Sequence, residues 1–563
     1  MSGMTLEQAA AHITSTDPRF AIEQARIRGV DYRVFKNAPL HLRALLQASA
    51  AAHGNGADEY LVYRDERWSY DAFCTDVCRM AKVLRNELGI KQGDRVALAM
   101  RNYPELPILM MAITSIGAVV VFMNAWWTTD ELEYALKDSG AILVFADGPR
   151  FERIAALGDA APDMIALRDA PKDARRYEDL LESAGPAGWP DVEIATDDDM
   201  AVMYSSGTTG RPKGVVQTHR GAMSAVFTWL MSLVLPPLMA PADAPPAPDP
   251  GPQAILIVTP LFHVTATHPM FLLSLPMGAK LVLLHKWDAE EAVRVIEAEK
   301  ITRFLGVPTQ SADLMAAAKR MGTSLPCLQY VGAGGAKRPA AQVAQLGETF
   351  PQANVASGWG MTETNAVGLG ITGPDYADKP GSAGRLLPPV QDLVILGDNG
   401  QPLPLGEVGE LTVKSPANMR CYLNKPDATA EVFQDGWLRT GDMATLDADG
   451  YVTIVDRKKD IIIRGGENIA CLDVEGALHK HPAVREACAF SVPDERLGEI
   501  VGAGITLQQG QTVTAEDLNS FLSAHIAHFK IPDRYWFQTT PLPRGATDKL
   551  DRRALRSACL SKE

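Results

Sequence analysis

The chain has 563 residues and a mass of 60.8 kDa, several times the size of a single hydrophobic core, which excludes one small module and calls for two or more domains. Hydrophobic residues make up 46% and charged residues 22%, the balance of an ordinary globular protein and not of a disordered or fibrous chain. Lys and Arg number 54 against 68 Asp and Glu, and the net charge of −14 argues against a dedicated binder of nucleic acid or anionic membrane and for a small partner.

The opening stretch, MSGMTLEQAAAHITSTDPRF, has no basic segment followed by an apolar core and a small-residue cleavage site, so no secretory signal is expected and the location is read as cytoplasmic. The seven cysteines, Cys74, Cys78, Cys327, Cys421, Cys471, Cys488 and Cys559, lack zinc-knuckle or Cys-x-x-Cys spacing and are read as reduced structural thiols. Residues 106–123 form the longest apolar run, about the length of a membrane span. Pro107 opens it, and Ser115, Ile116 and Gly117 split it into helix then strand, so a buried α/β core and no transmembrane segment is expected. From about Arg95 to Val355 short β-branched runs alternate with longer helical patterns, the mark of βαβ units and largely parallel sheets. Strands are predicted at 95–100, 141–146, 200–204, 254–258, 280–284, 303–307 and 328–331. The segments SIGAVVVFM at 115–123 and LPMGAKLVLL at 275–284 share an apolar helix, a Gly-Ala stop and a strand, which predicts two similar α/β subdomains.

Residues 236–252, PPLMAPADAPPAPDPGP, are too proline-dense for helix or sheet and read as an exposed loop. After about Gln391 the pattern changes to antiparallel hairpins with turns at Asp398-Asn399-Gly400 and Asp449-Gly450, a small β-barrel-like subdomain. Past Asp456 comes the charged run DRKKD, then about a hundred residues of mixed strands and helices able to form a small α+β fold of their own. The division is therefore a helical extension at 1–40, a large α/β domain at 41–457 and a small domain at 458–563.

Chemistry gathers in five places. The strand at 200–204 runs into Ser205-Ser206-Gly207-Thr208-Thr209-Gly210-Arg211-Pro212-Lys213-Gly214, where glycines free backbone N–H groups, hydroxyls add donors and Lys213 adds charge, a composition suited to a polyphosphate. It is not a Walker A loop, because Pro212 stands where that motif needs the glycine before its lysine. A second turn, Gly332-Ala333-Gly334-Gly335-Ala336-Lys337, has Lys337 where a dinucleotide fingerprint needs its last glycine. In Ser357-Gly358-Trp359-Gly360-Met361-Thr362-Glu363 a base could stack on Trp359, Thr362 could reach a phosphate and Glu363 could hold Mg²⁺. Asp442, in Arg439-Thr440-Gly441-Asp442, could accept from both hydroxyls of a ribose. A loop at 543–549, PRGATDK, carries Lys549 near the chain end.

Together, YSSGTTGRPKG, GWGMTE, WLRTGD, DRKKDIIIRGGENI and PRGATDK resemble, in order and approximate separation, the adenylate-forming superfamily of acyl-CoA synthetases, nonribosomal-peptide adenylation domains and firefly-type luciferases, over roughly Leu42 to Arg553. The resemblance implies that a carboxylate attacks the α-phosphate of Mg-ATP, pyrophosphate leaves, and coenzyme A takes the acyl group from the adenylate. It implies that Ser205, Ser206, Gly207, Thr208, Thr209 and Lys213 hold the β- and γ-phosphates, that Gly334, Gly335, Ala336 and Trp359 lie on the adenine side, that Ser357 and Gly358 also belong to the ATP site, and that Thr362 meets the α-phosphate. Glu363 would ligate Mg²⁺, Asp442 and Arg457 would hold the ribose, and Lys549 would bridge carboxylate and α-phosphate as the catalytic lysine. The small domain would be mobile about a hinge at Lys459, presenting first Lys549 and then the Arg464-Gly465-Gly466 loop, which lines the path of coenzyme A. Asp548 departs from the glycine that relatives commonly have before this lysine.

Amino-acid-activating relatives carry an Asp after the Phe of this motif, whereas Leu261-Phe262-His263-Val264 offers no partner for an amine. His263, Val264 and Gly332 are therefore expected to line a pocket for a fatty or other apolar acid. A ligase passing its acyl group to a carrier protein, and a non-catalytic binder of acyl-adenylate, are the alternatives, and a homodimer is left open as the assembly.

Overall fold

The computed structural model describes residues 3–54, 58–205, 211–241, 250–465, 467–545 and 549–561. Among them, the predicted alternation of apolar runs resolves into two stacked sheets. The first orders its strands Cys421–Tyr422, Lys213–Thr218, Asp199–Ser205, Val119–Phe122, Arg95–Ala99, Leu143–Asp147 and Asp163–Leu167, the last five parallel. The second holds a parallel block made of Asn354–Trp359, Tyr330–Ala333, Arg303–Gly306, Ala254–Ile257, Lys280–Leu283 and Glu59–Tyr63. The antiparallel strands that follow Gln391, namely Asp392–Leu396, Gly409–Lys414, Trp437–Leu446 and Tyr451–Arg457, hydrogen-bond on to this second sheet through Gly384–Leu386 and Leu369–Thr372.

One apolar core joins the two sheets. Leu98, Phe122 and Met203 from the first and Ile255, Ile257, Leu281 and Leu283 from the second meet on the helices Tyr70–Lys82, Glu105–Thr114 and His219–Val234. At about 1.5–3 kcal/mol per fully buried large aliphatic side chain, such a core makes the pair of sheets a single rigid frame. The repeated Gly-Ala stop has a conformational cause. Gly117 (φ +72°) and Gly278 (φ +62°) each end a helix in the left-handed region just before a strand, where any side chain is strained.

The small domain has its own sheet, built on the hairpin Val484–Asp494/Gly498–Leu507 with Arg534–Gln538 added parallel, and its own core of Ile462, Val474, Leu478, Ala489, Val501 and Leu522. No helix among the described residues is long and apolar enough to cross a membrane. The run 106–123 is a buried helix, Glu105–Thr114, followed by a buried strand, Val119–Phe122.

Three expectations need correction. Residues 236–239 are a short helix, Pro236–Met239, because prolines at the first helical positions forfeit no hydrogen bond; residues 242–249 of the same segment lie outside the described residues. The 1–40 extension is helical only over Leu6–Thr16 and the short 3₁₀ turn Pro18–Phe20. It then forms a hairpin, Ile22–Ile27/Val30–Phe35, closed by Arg28 and Gly29, both at positive φ as a type I′ turn demands. The strand expected at 328–331 is Tyr330–Ala333, because a turn from Leu325 to Leu328 delays its start.

Candidate active site

The parallel strands of both sheets end at one crevice, where open α/β sheets place their ligands. From the first sheet, Asp199–Ser205 delivers Ser205, and the antiparallel return strand pairs Lys213 directly with it. Ser206, Gly207, Thr208 and Thr209 between them lie outside the described residues. Lys213 places its ammonium 4.7 Å from the centre of the Tyr422 ring, and the Tyr422 hydroxyl donates to Glu363 Oε1 at 2.9 Å. Tyr422 belongs to no motif in the sequence; it arrives because Cys421–Tyr422 pairs with the strand bearing Lys213.

Thr362 and Glu363 sit on a single 3₁₀ turn held from both sides. Gln217 Nε2 donates to the Thr362 carbonyl at 3.0 Å, and the Met419 amide donates to the Glu363 carbonyl at 2.7 Å. Gln217 is a second residue that motif reading misses. Burial raises the pKa of the Glu363 carboxyl, against the hydrogen bond from Tyr422 and the charge of Arg457. A nearly buried carboxylate, 5% exposed, is stabilised by a bound cation. No group of three His, Cys, Asp or Glu that could cage a metal occurs among the described residues, so Glu363 fits a hard ion that takes one carboxylate and completes its shell with phosphate oxygens and water, the habit of Mg²⁺.

On the opposite wall, strand pairing sets Asp442 beside Arg457. The Asp442 carboxylate forms an ion pair with the Arg457 guanidinium through one oxygen and accepts from Trp359 Nε1 at 2.8 Å through the other. Each oxygen retains a lone pair for a further donor. Burial pushes Asp442 upward, and Arg457, the Trp359 hydrogen bond and Lys549 oppose it. The Trp359 ring covers Gly368, where a Cβ would stand 2.6 Å from it. Gly358, Gly335 and Ala336 are exposed at the crevice and Ser357 is half-buried.

The small domain completes the site. Lys549 reaches across to the Gly-rich turn: a Cβ on Gly335 (φ +79°) would lie 2.7 Å from Lys549 Cε and 3.0 Å from its Nζ. Burial brings the pKa of Lys549 down to about 8, with repulsion from Arg457 adding to the fall and attraction to Asp442 opposing it. Burial, then the positive charge of Lys549, pushes His263 down to about 3, so this imidazole is neutral. Its Nδ1 accepts from the Thr265 amide at 3.3 Å. The Thr265 methyl lies 3.7 Å from where Gly334 would carry a Cβ. Lys549, Gly334 and Gly335, His263 with Thr265, and Asp442 with Arg457 therefore face one volume. Asp548 lies outside the described residues.

The remaining expected site residues make other contacts. Val264 is packed into the core, 2% exposed, and the space a Gly332 side chain would take is filled by the Tyr330 ring and Leu305. Arg464 pairs with Asp533 at 2.9 Å and the Gly465 amide donates to the Leu497 carbonyl at 2.8 Å, both within the small domain; Gly466 lies outside the described residues. Lys459 sits between the domains, its pKa lowered by burial.

Residues 47–423 match the AMP-binding enzyme family and residues 473–549 match the AMP-binding enzyme C-terminal domain. The chain is 34% identical over 507 residues to a feruloyl-CoA synthase of an Amycolatopsis species, covering 89% of this chain and 94% of the relative. It is 32% identical to the long-chain-fatty-acid–CoA ligase FadD13 of Mycobacterium tuberculosis, covering 87% and 93%. The o-succinylbenzoate CoA synthetase of Bacillus subtilis, solved with its acyl-adenylate intermediate, superposes with a TM-score of 0.78 at 27% identity over 91% of this chain and 97% of that one. The same enzyme solved with ATP and a magnesium ion gives a TM-score of 0.77 at 27% identity, covering 91% and 99%.

Proposed function

This chain belongs to the family of AMP-binding enzymes, and from that premise we propose how its own residues carry the family's reaction. It is an ATP-dependent acyl-CoA ligase: a carboxylate oxygen bonds to the α-phosphorus of ATP, the bond to the bridging oxygen breaks and pyrophosphate leaves; the thiol sulfur of coenzyme A then bonds to the acyl carbon, AMP departs, and the thiol proton passes to solvent.

The observation that carries the residue roles is the position of Lys549, delivered by the small domain onto Gly335 and facing Asp442, Arg457 and neutral His263. An ammonium there attracts the incoming carboxylate and the α-phosphate together and stabilises the charge that builds between them, so it acts by positioning and by electrostatics. Ser205 and Lys213 hold the outer phosphates, Trp359 and residues 334–336 flank the base, and Asp442 with Arg457 takes the ribose. Mg²⁺ held on Glu363 beside the phosphates would neutralise charge on the leaving group. The Arg464-Gly465 turn serves the second half-reaction after the small domain turns about Lys459. Separate apolar clusters, one reaching Ile454 and the next starting at Ile462, support a domain division at 457/458, while Ala9, Phe20 and Phe35 bind the 1–40 extension to the large core.

The acid is one with an apolar body. His263 is neutral, Lys549 is cationic, and the Asp442 carboxylate that faces the same volume is already held by Arg457 and Trp359, so an α-amino group meets no unengaged anion among these residues and carries a desolvation penalty of several kcal/mol. Cys74, Cys78, Cys327, Cys421, Cys471 and Cys488 form no disulfide among the described residues, as suits a reducing compartment such as the cytoplasm. The test is nucleotide chromatography after incubation with an acid panel, Mg-ATP and coenzyme A. AMP and pyrophosphate should accumulate with the thioester, and leucine should turn over far more slowly than hexanoate or benzoate. Equal turnover of leucine would remove the argument from charge.

A further inference from the structure

The Tyr330–Ala333 strand lies within the second sheet and ends at the glycine-rich turn of the site. Its pairing with Arg303–Gly306 sets Arg303 beside Tyr330 and Leu305 beside Gly332 on one face. That face also carries Ile255 and Ile257 of the next strand, both members of the core shared by the two sheets, whereas Phe304 and Val331 point to the separate core on the far side. Arg303 is thus turned toward the interior of the large domain, on the face that leads down the strand to residues 332–335 and Lys549. Its guanidinium stacks over the Tyr330 ring, 4.2 Å from the centroid. The Tyr330 ring bends over Gly332, its hydroxyl 2.9 Å from where a Cβ would be, so the hydroxyl points along the same path.

What Arg303 lacks is a counter-charge. Among the described residues no carboxylate lies within ion-pairing distance of it and its guanidinium makes no hydrogen bond, while its side chain is only partly open to solvent. Burial lowers its pKa, with Tyr330 opposing, yet an arginine stays protonated at any working pH. Taking a guanidinium out of water without an anion is costly, and five N–H groups in a planar fork are matched by a carboxylate. From Gly334 back to Tyr330 is four residues of strand, about 13 Å at the usual rise. Apolar Leu305 and Ile257 stand on the same face over that interval.

On the reading of the active site given above, we propose that Arg303 and Tyr330 form the far end of the acyl pocket and select a carboxylic acid with an apolar body and an oxygen acceptor at its distal end, a second carboxylate above all. The reacting carboxylate lies at Lys549, and the distal one accepts from Arg303 and from the Tyr330 hydroxyl.

The experiment measures AMP release by the full-length enzyme with straight-chain diacids from adipate to sebacate against monoacids of matched length, and with para-hydroxycinnamate against cinnamate. One diacid length should exceed its monoacid partner by roughly 10-fold or more in kcat/KM, because a monoacid leaves the polar groups of the site unpaired. Arg303→Met should reverse that preference, raising KM for the diacid while sparing the monoacid. Tyr330→Phe should weaken the preference several-fold. Arg303→Lys retains the charge without the fork and should fall between; it also guards against a methionine variant that fails to fold, with melting as the control. Better discrimination of the hydroxyaryl pair than of the diacids would assign the same acceptor site to a phenolic oxygen. A wild-type enzyme indifferent to the distal group, or an Arg303→Met enzyme with unchanged preference, would overturn the proposal. Failure to release AMP with any acid would instead refute the ligase reading on which it rests.

Discussion

On the proposed mechanism Lys549 has to be cationic when the carboxylate meets the α-phosphate, and its pKa of about 8 puts the loss of that charge within the working range. For the free enzyme, kcat/KM for adenylation should fall as pH rises through about 8, because deprotonation removes the charge that attracts both anions. Bound ATP adds negative charge and restores the cation, so the corresponding limb of kcat should lie higher. Lys549→Arg, permanently charged, should lack the falling limb; an unchanged limb in this variant would assign the titration elsewhere. The same shift bears on stability with a defined sign. The unfolded chain holds this proton up to its ordinary 10.5, so burying the ammonium costs stability at neutral pH, and the cost fades between about 8 and 10.5. Lys549→Met should raise Tm at pH 7, and the gain should shrink across that interval. Glu363→Gln preserves shape and removes the anion; adenylation should fall on the order of 10²-fold or more, most severely at limiting Mg²⁺. A near-wild-type rate there would make Glu363 a structural partner of Tyr422. The charged residues of this site were legible because each is embedded in a short, ordered motif. Tyr422 was not, since its contact with Glu363 arises from a strand pair between segments some two hundred residues apart.

At the scale of the element, the turn after Tyr330–Ala333 works through what it omits. Gly335 combines a left-handed φ with a Cβ position occupied by Lys549, so Gly335→Ala carries backbone strain and displaces the lysine at once. Stability should drop by about 1 kcal/mol while pyrophosphate exchange falls much further, a disproportion that melting and exchange assays together would reveal. Equal, modest losses would mean that Lys549 simply moves aside. The same logic separates what could be read in the chain from what could not. Gly117 and Gly278 punctuated two helix-to-strand transitions clearly, since a glycine after an apolar helix has one common meaning. The Arg28-Gly29 turn lacks the asparagine or aspartate that usually marks a type I′ hairpin, and the hairpin was hidden with it. The placement of Arg303 against Tyr330 depends on parallel register between strands joined by a long helical crossover, which local pattern does not encode.

Over the whole molecule, the proposed reaction asks two loops of one small domain to serve one crevice, and among the described residues of those loops Lys549 is the one placed there in this structure. The Arg464-Gly465 turn is bonded to Asp533 and Leu497 within its own domain, so it can reach the adenylate only if the domain reorients. The joint is narrow. The Lys458 amide donates to Gly441 and the Asp460 amide to Arg457, whereas the Lys459 amide makes no hydrogen bond among the described residues, and Lys459 does not occupy the left-handed region. Proline at 459 takes away no bonded donor, but it locks φ near −65° and disfavours the helical backbone at Lys458 on which the turn from Arg457 to Asp460 depends, which restricts the rotation a hinge requires. Lys459→Pro should retain acid-dependent pyrophosphate exchange within a few-fold and lose most transfer from supplied acyl-adenylate to coenzyme A. Lys549→Ala should show the converse, losing exchange by a factor on the order of 10² or more while accepting supplied acyl-adenylate. Both variants would be assayed in both half-reactions, with melting to confirm the fold. If folded Lys459→Pro performs both steps at wild-type rates, the domain does not turn at this residue. If folded Lys549→Ala loses both, one arrangement of the domains serves the entire reaction.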